Sequence, residues 1–225
     1  MWFDMLKDSA STFGADIDGL IWLIWKVTAF FFVVMQGLLL YYLWRYRSSR
    51  PGRAEYTPAE APRDWRWLLG LAGIVLAIDL GIDHVGSEAW AKVKQDIPKD
   101  APVHVQVVAQ QFSWDFVYPG KDGVLGSPDD LHSINELHLP VGVKVRLDLR
   151  SKDVIHSLFL PDSRFKQDLL PGREIPAWIE VSREGEQRLY CAELCGQVHT
   201  AMIGKLVAHK DMAAYHRWLK ELAAL

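Results

Sequence analysis

The stretch VTAFFFVVMQGLLLYYLW, residues 27–44, holds eighteen consecutive side chains without a formal charge. With Ile21–Trp25 ahead of it, a helix from Ile21 to Trp44 is about 36 Å long, more than the ~30 Å hydrocarbon core of a bilayer. Trp22 and Trp25 mark one end, and Tyr41, Tyr42 and Trp44 the other, as rings that settle at the two water interfaces do. Lys26 lies near enough to the first end to extend its ammonium outward. The competing reading is a cleaved signal peptide, which needs a positive N-terminal region. Here Asp4, Asp8, Asp16 and Asp18 face the single Lys7. The pattern therefore predicts a membrane-spanning helix over about 20–45.

A second apolar run extends from Trp67 to about Val85, interrupted by Asp79, Asp83 and His84. Alone it could be a buried core helix. The segment between the two runs decides, because Arg45, Arg47, Arg50, Arg53, Arg63 and Arg66 crowd into it. Short arginine-rich loops stay cytoplasmic. This predicts a second span over about 66–88, a hairpin anchor occupying 1–94, and both termini on the outer side. Asp79 and Asp83 are four apart and share one helix face. Two readings of them stand: functional carboxylates turned to a partner or a water cavity, or a helix that leaves the membrane early.

Beyond the anchor the texture changes. Lys92–Pro102, charged and carrying two prolines, reads as a linker. Val143, Val145, Leu147 and Leu149 then alternate with Lys144, Arg146, Asp148 and Arg150, the period of a half-buried strand, and Val103, Val105 and Val107 repeat it. Pro119-Gly120, Asp122-Gly123 and Pro171-Gly172 punctuate the region as turns. Residues 95–225 are thus an all-β sandwich or barrel, closed by a short amphipathic helix near Lys210–Leu222. The balance of 25 Lys+Arg against 28 Asp+Glu gives a net charge of -3, so there is no basic face for nucleic acid. With only Cys191 and Cys195, a disulfide-stapled scaffold is excluded as well.

Those two cysteines open the chemistry: Cys191-Ala-Glu193-Leu-Cys195-Gly-Gln-Val-His199-Thr-Ala-Met202 puts two thiols, an imidazole and a thioether within twelve residues. Soft sulfur with imidazole selects copper or zinc over hard cations. Two thiolates on one loop can bridge two metal ions, each needing a terminal imidazole, and the loop supplies only His199. Most other histidines (His104, His132, His138, His209, His216) lie in polar or alternating contexts where an exposed ring is ordinary. His156 opens an apolar strand and is the better second ligand. Three readings compete. Dinuclear copper uses every group. A Cys2His2 zinc site leaves Met202 without a role. A Cys191–Cys195 disulfide leaves both His199 and Met202 idle.

The order hairpin, β-domain, Asp153-Val-Ile-His156-Ser, then the Cys191–Met202 motif, resembles subunit 2 of cytochrome c oxidase over nearly the whole chain. The resemblance implies a cupredoxin-like Greek-key domain outside the membrane, periplasmic or in an intermembrane space, carrying the dinuclear copper centre CuA. Cys191 and Cys195 would bridge the coppers and His156 and His199 would each bind one. Met202 and the Glu193 carbonyl would be weak ligands, and the Glu193 side chain would reach a magnesium ion at the border with the catalytic subunit. Lys166–Arg173 resembles the segment facing that border. The implied function is to accept electrons from a cytochrome c or similar donor and pass them to the haem of the catalytic subunit, where O2 is reduced to water with proton translocation. The other oxidase subunits and membrane lipid would be its partners. A CuA subunit of a nitric oxide reductase is the alternative.

Two departures stand out. The family's aromatic run reads Gln-Trp-x-Trp, and its first Trp is taken as the point where electrons arrive. Here the run is Gln111-Phe112-Ser113-Trp114, leaving Phe112 or Trp114 for that task. The second helix is also more acidic than the family pattern, and no cytoplasmic proton-path carboxylate can be placed: Glu60 and Asp64 are the only nearby candidates, and both also read as solvated loop charges. No general acid, base or nucleophile constellation and no Cys-x-x-Cys-His occurs, so the donor is expected to be a separate protein. Asp115, Asp122, Asp129 and Asp130 carry two readings: a mildly acidic face that steers a basic donor, or an ordinary solvated face.

Overall fold

The computed structural model describes residues 9–49, 52 and 61–224, without the side chains of residues 63 and 64. Arg50, Arg53, Glu60 and the side chains of Arg63 and Asp64, invoked above, lie outside the described residues. The chain divides into two compact units, one of Asp18–Ala89 and one of the residues through Ile17 together with Trp90–Leu225.

The first unit is the hairpin. Helices α1 (Gly14–Arg45) and α2 (Pro62–Trp90) extend the expected spans at both ends or at their starts, because capping and flanking polar turns add to an apolar run without interrupting it. Both are long and apolar enough to cross a membrane. Phe30, Phe32, Leu40, Leu69 and Leu80 are exposed, as lipid-facing or partner-facing side chains would be. Asp79 lines a hollow between the helices with Val27, Thr28 and Phe31 opposite, whereas Asp83 does not.

The second unit is a two-sheet, cupredoxin-like sandwich. Its strands are β1 (Val103–Gln110), β2 (Ser113–Tyr118), β3 (Leu131–Ile134), β4 (Glu136–Pro140), β5 (Val145–Ser151), β6 (His156–Leu160), β7 (Phe165–Leu169), β8 (Ile175–Ile179), β9 (Gly185–Cys191) and β10 (Ile203–His209). One sheet has the order β3-β2-β1-β5-β8 and the other β4-β10-β9-β6-β7. The parallel β1–β5 pairing sets Val105 beside Leu147 and Val107 beside Leu149, so the two alternating runs noted above point into one core. Leu137, Leu139, Leu158, Leu160, Leu189 and Leu206 fill it from the facing sheet. Helix α3 (Met212–Leu222) starts on an Asp211 cap that accepts from Ala214 N at 2.7 Å.

Three features differ from the sequence reading. Residues 92–97 are not a free linker: Val93 and Ile97 pack on the core, and Trp178 Nε1 donates to Lys92 O at 3.2 Å. Residues 9–13 belong to the sandwich, with Ser11 bridging Val181, Ser11 Oγ donating to Ser163 O at 2.7 Å, and Phe13 fully buried edge-on to Trp178. His138 is buried rather than exposed, because α3 lays Trp218 flat against it with ring centroids 3.8 Å apart.

Candidate metal centre

The site is assembled by strand pairing. β6 and β9 run antiparallel with Leu158 opposite Cys191, and Ala192 N donates to Ser157 O at 3.0 Å, so the end of β9 reaches the start of β6, where His156 stands. Cys191 N donates to Met202 O at 3.2 Å, closing the base of the loop. Within it, His199 N donates to Gly196 O and the chain takes one 3-10 turn over His199–Ala201 before β10. Twelve residues thus leave and rejoin neighbouring strands, turning Cys191, Cys195 and Met202 inward.

The ligand atoms converge. Those of His156, Cys191 and Cys195 lie within 4.8 Å of one another. The two sulfurs are 3.8 Å apart, far beyond the ~2.05 Å of a disulfide, and both thiols are free. His156 Nδ1 is 3.9 Å from Cys191 Sγ and His199 Nδ1 is 3.4 Å from Cys195 Sγ, one imidazole beside each thiol. Met202 Sδ is 3.8 Å from Cys195 Sγ, and the Glu193 carbonyl accepts from Cys191 Sγ at 3.3 Å. All six residues singled out in the sequence meet at one place. His156 and Met202 are 0% and 1% exposed, whereas His199 is half-buried at the rim of the site.

Its electrostatics follow from that burial. Desolvation, with the neighbouring Cys191 thiol, pushes the Cys195 thiol up to about 11. Forming the Cys195 thiolate is therefore coupled to binding a cation, which releases a proton. The outward nitrogen of His156, Nε2, is 2.8 Å from Asp153 Oδ1. Although burial works against it, the hydrogen bonds from His156 and from the N–H groups of Gln111 and Val154 hold the Asp153 carboxyl below its ordinary range. An ionised Asp153 accepts from Nε2–H and so leaves Nδ1 free to face the sulfur.

The remaining candidates separate by depth. Trp114 is 0% exposed, its ring 6.2 Å from that of His156, and so has no surface of its own. Phe112 is half-buried and covers the loop at Gly196, where an added Cβ would lie 3.0 Å from the Phe112 ring. The Glu193 carboxylate turns away to the Lys166 ammonium at 3.2 Å, which Asp168 also holds at 2.8 Å.

Residues 110–208 match the family model for the periplasmic domain of cytochrome c oxidase subunit II. The alternative cytochrome c oxidase subunit 2 of Bradyrhizobium diazoefficiens is 32% identical over 227 residues, covering 91% of this chain and 79% of that protein. The chain belongs to the cytochrome c oxidase subunit 2 family. The subunit 2 of Cereibacter sphaeroides is 27% identical, covering 96% of this chain and 78% of that protein. Among solved structures, the periplasmic domain of cytochrome oxidase subunit II from Bradyrhizobium japonicum covers 57% of this chain and 97% of its own, at 24% identity and a TM-score of 0.50, and it supports the fold. As a subunit 2, the chain is part of a haem–copper terminal oxidase, an oxidoreductase complex, and its cupredoxin-like domain implies copper.

Proposed function

We propose that the chain is the electron-accepting subunit of its oxidase, holding a dinuclear copper centre on Cys191, Cys195, His156, His199, Met202 and the Glu193 carbonyl. The convergence of these six groups, with one imidazole beside each thiol, carries the reading. When bound, such a centre takes up and releases single electrons. The chain's own part is to keep the ligands from moving. Strands β6, β9 and β10 fix three of the attachment points, Asp153 orients His156, and His156, Cys195 and Met202 are held in the buried interior.

The half-exposed ring of Phe112 is where a soluble donor, a cytochrome c or an equivalent carrier, would make contact, with Trp114 packed behind it as scaffold. The hairpin anchors the sandwich on the outer side, with the arginine-rich connection cytoplasmic, and the acceptor is the haem of a catalytic subunit where oxygen is reduced and protons are moved.

The test is the absorption and EPR spectrum of the full chain loaded with copper. The full chain is required because Phe13 belongs to the core of the sandwich. Two coppers per chain sharing one unpaired electron are expected. A colourless protein holding one zinc ion, or a disulfide, would sink the reading. Turnover of O2 rather than nitric oxide by the complex purified with its partner subunit separates the oxidase from the reductase alternative.

A further inference from the structure

The connection between β1 and β2 is only two residues, Gln111 and Phe112, and it lies across the metal loop. Gln111 makes two bonds there. Its side-chain Nε2 donates to the carbonyl oxygen of Cys195 at 2.5 Å, and its backbone N–H donates to Asp153 Oδ2 at 2.7 Å. The other oxygen of that carboxylate is 2.8 Å from His156 Nε2. One exposed residue thus ties the backbone of a thiol ligand on the β9–β10 loop and, through Asp153, the imidazole ligand on β6.

The loop is shaped to admit this contact. Gly196 follows Cys195 with a φ of +140°, and a Cβ there would lie 2.8 Å from Gln111 Nε2. A side chain at 196 would displace the amide. Among the described residues no other side chain joins the two ligands in this way: strand pairing links Cys191 to β6, whereas Cys195 lies mid-loop, beyond the last ladder bond of β9.

We propose that Gln111 is a positioning residue for the metal centre, a clamp that fixes the Cys195 sulfur relative to the His156 imidazole. The inference rests on the copper reading above. Without the clamp, the loop from Ala192 to Val198 keeps its ends and its packing but loses its hydrogen bond to the β1–β2 turn, so the second thiolate is held less tightly relative to His156. Outer partners of metal ligands typically change retention by about 10- to 100-fold when removed.

The experiment compares the full chain with Gln111→Met, which keeps the length of the side chain and removes its donor. Three readouts are taken: the thermal melt of the metal-free protein, the EPR hyperfine pattern after copper loading, and copper release to an excess of chelator. The expected result is an unchanged melt, an altered hyperfine pattern, and release about 10-fold faster. Release at the parental rate with the parental spectrum would overturn the clamp. So would a lowered melt with an unaltered spectrum, which is the signature of a merely structural turn residue. Should the methionine variant not fold, Gln111→Ser, small and polar on this exposed turn, is measured with the same expectation. A parent chain without a coupled copper pair would instead overturn the copper reading, and the inference with it.

Discussion

At the scale of single residues, depth decides which aromatic can serve the centre. Trp114 is fully buried against His156, and Phe112 keeps part of its ring outside over Gly196. Phe112→Leu is expected to change folding stability by no more than about 0.5 kcal/mol, as for a partly exposed position, while slowing electron uptake from the donor. Trp114→Leu removes buried ring volume and should cost about 2–4 kcal/mol. Stopped-flow reduction and chemical denaturation of the two variants separate these effects. A Phe112 variant reduced at the parental rate would move the point of contact elsewhere on the domain. The ligands themselves were legible in the sequence because copper chemistry restricts the residue types and the loop gathers four of them within twelve positions. Gln111 was visible only as the first letter of an aromatic motif. Its bond to Cys195, 84 residues away, belongs to tertiary structure.

At the scale of elements, the contact of α3 with β4 and β10 could not be read from the pattern. β4 runs Glu136-Leu137-His138-Leu139-Pro140, and alternation would turn His138 to water. Trp218 covers it instead, and His138 Nδ1 is 3.0 Å from His209 Nε2. Burial, with the neighbouring His209 and only partly offset by Glu136, depresses His138 to about 4 from an ordinary 6.5. His209 is lowered too, by burial and by Arg217, against the opposing pull of Glu221. Both rings are therefore neutral in the folded protein at pH 7. Between pH 6.5 and about 4 the unfolded chain binds a proton at His138 that the folded chain refuses, so stability falls as the pH falls through that window. The loss at His138 alone is on the order of 2–3 kcal/mol. The expected outcome is a melting temperature that drops on acidification and a flatter dependence in His138→Phe, which keeps the stack on Trp218. Equal slopes in both proteins would place the acid sensitivity elsewhere. The same limit hid Phe13 and Asp148: the first lies ahead of the first span, in a stretch assigned from the sequence to the anchor, and the second, on the outward side of β5, is covered by His104 and Arg146.

At the scale of the whole sandwich, three of the four carboxylates read from the sequence as a steering face, Asp122, Asp129 and Asp130, lie beyond the end of β2 that is away from the metal loop. β2 starts at Ser113, next to the turn that touches Cys195, and runs about 16 Å to Tyr118 before the loop with Asp122, Asp129 and Asp130 begins. These carboxylates also serve that loop: Asp129 accepts from Lys121 N at 2.6 Å and Asp130 from Gly126 N at 2.7 Å. Asp115 is paired with His132 at 3.0 Å. Near the ligands the exposed side chains include two large aliphatic ones, Leu194 at 82% and Ile203 at 54%, beside Cys195 and Met202. A charge about 16 Å from the point of contact is beyond the screening length of ~8 Å at physiological ionic strength, so it contributes little to the encounter. Replacing Asp122 and Asp130 together by Asn should therefore leave the association rate of the donor, and its slope against salt, unchanged at about 0.15 M ionic strength. Stopped-flow reduction across a salt series checks this. A rate that fell in the double variant would put the donor on the β2–β3 loop, at a distance from the thiols that an electron would cross slowly, and would argue against contact at Phe112.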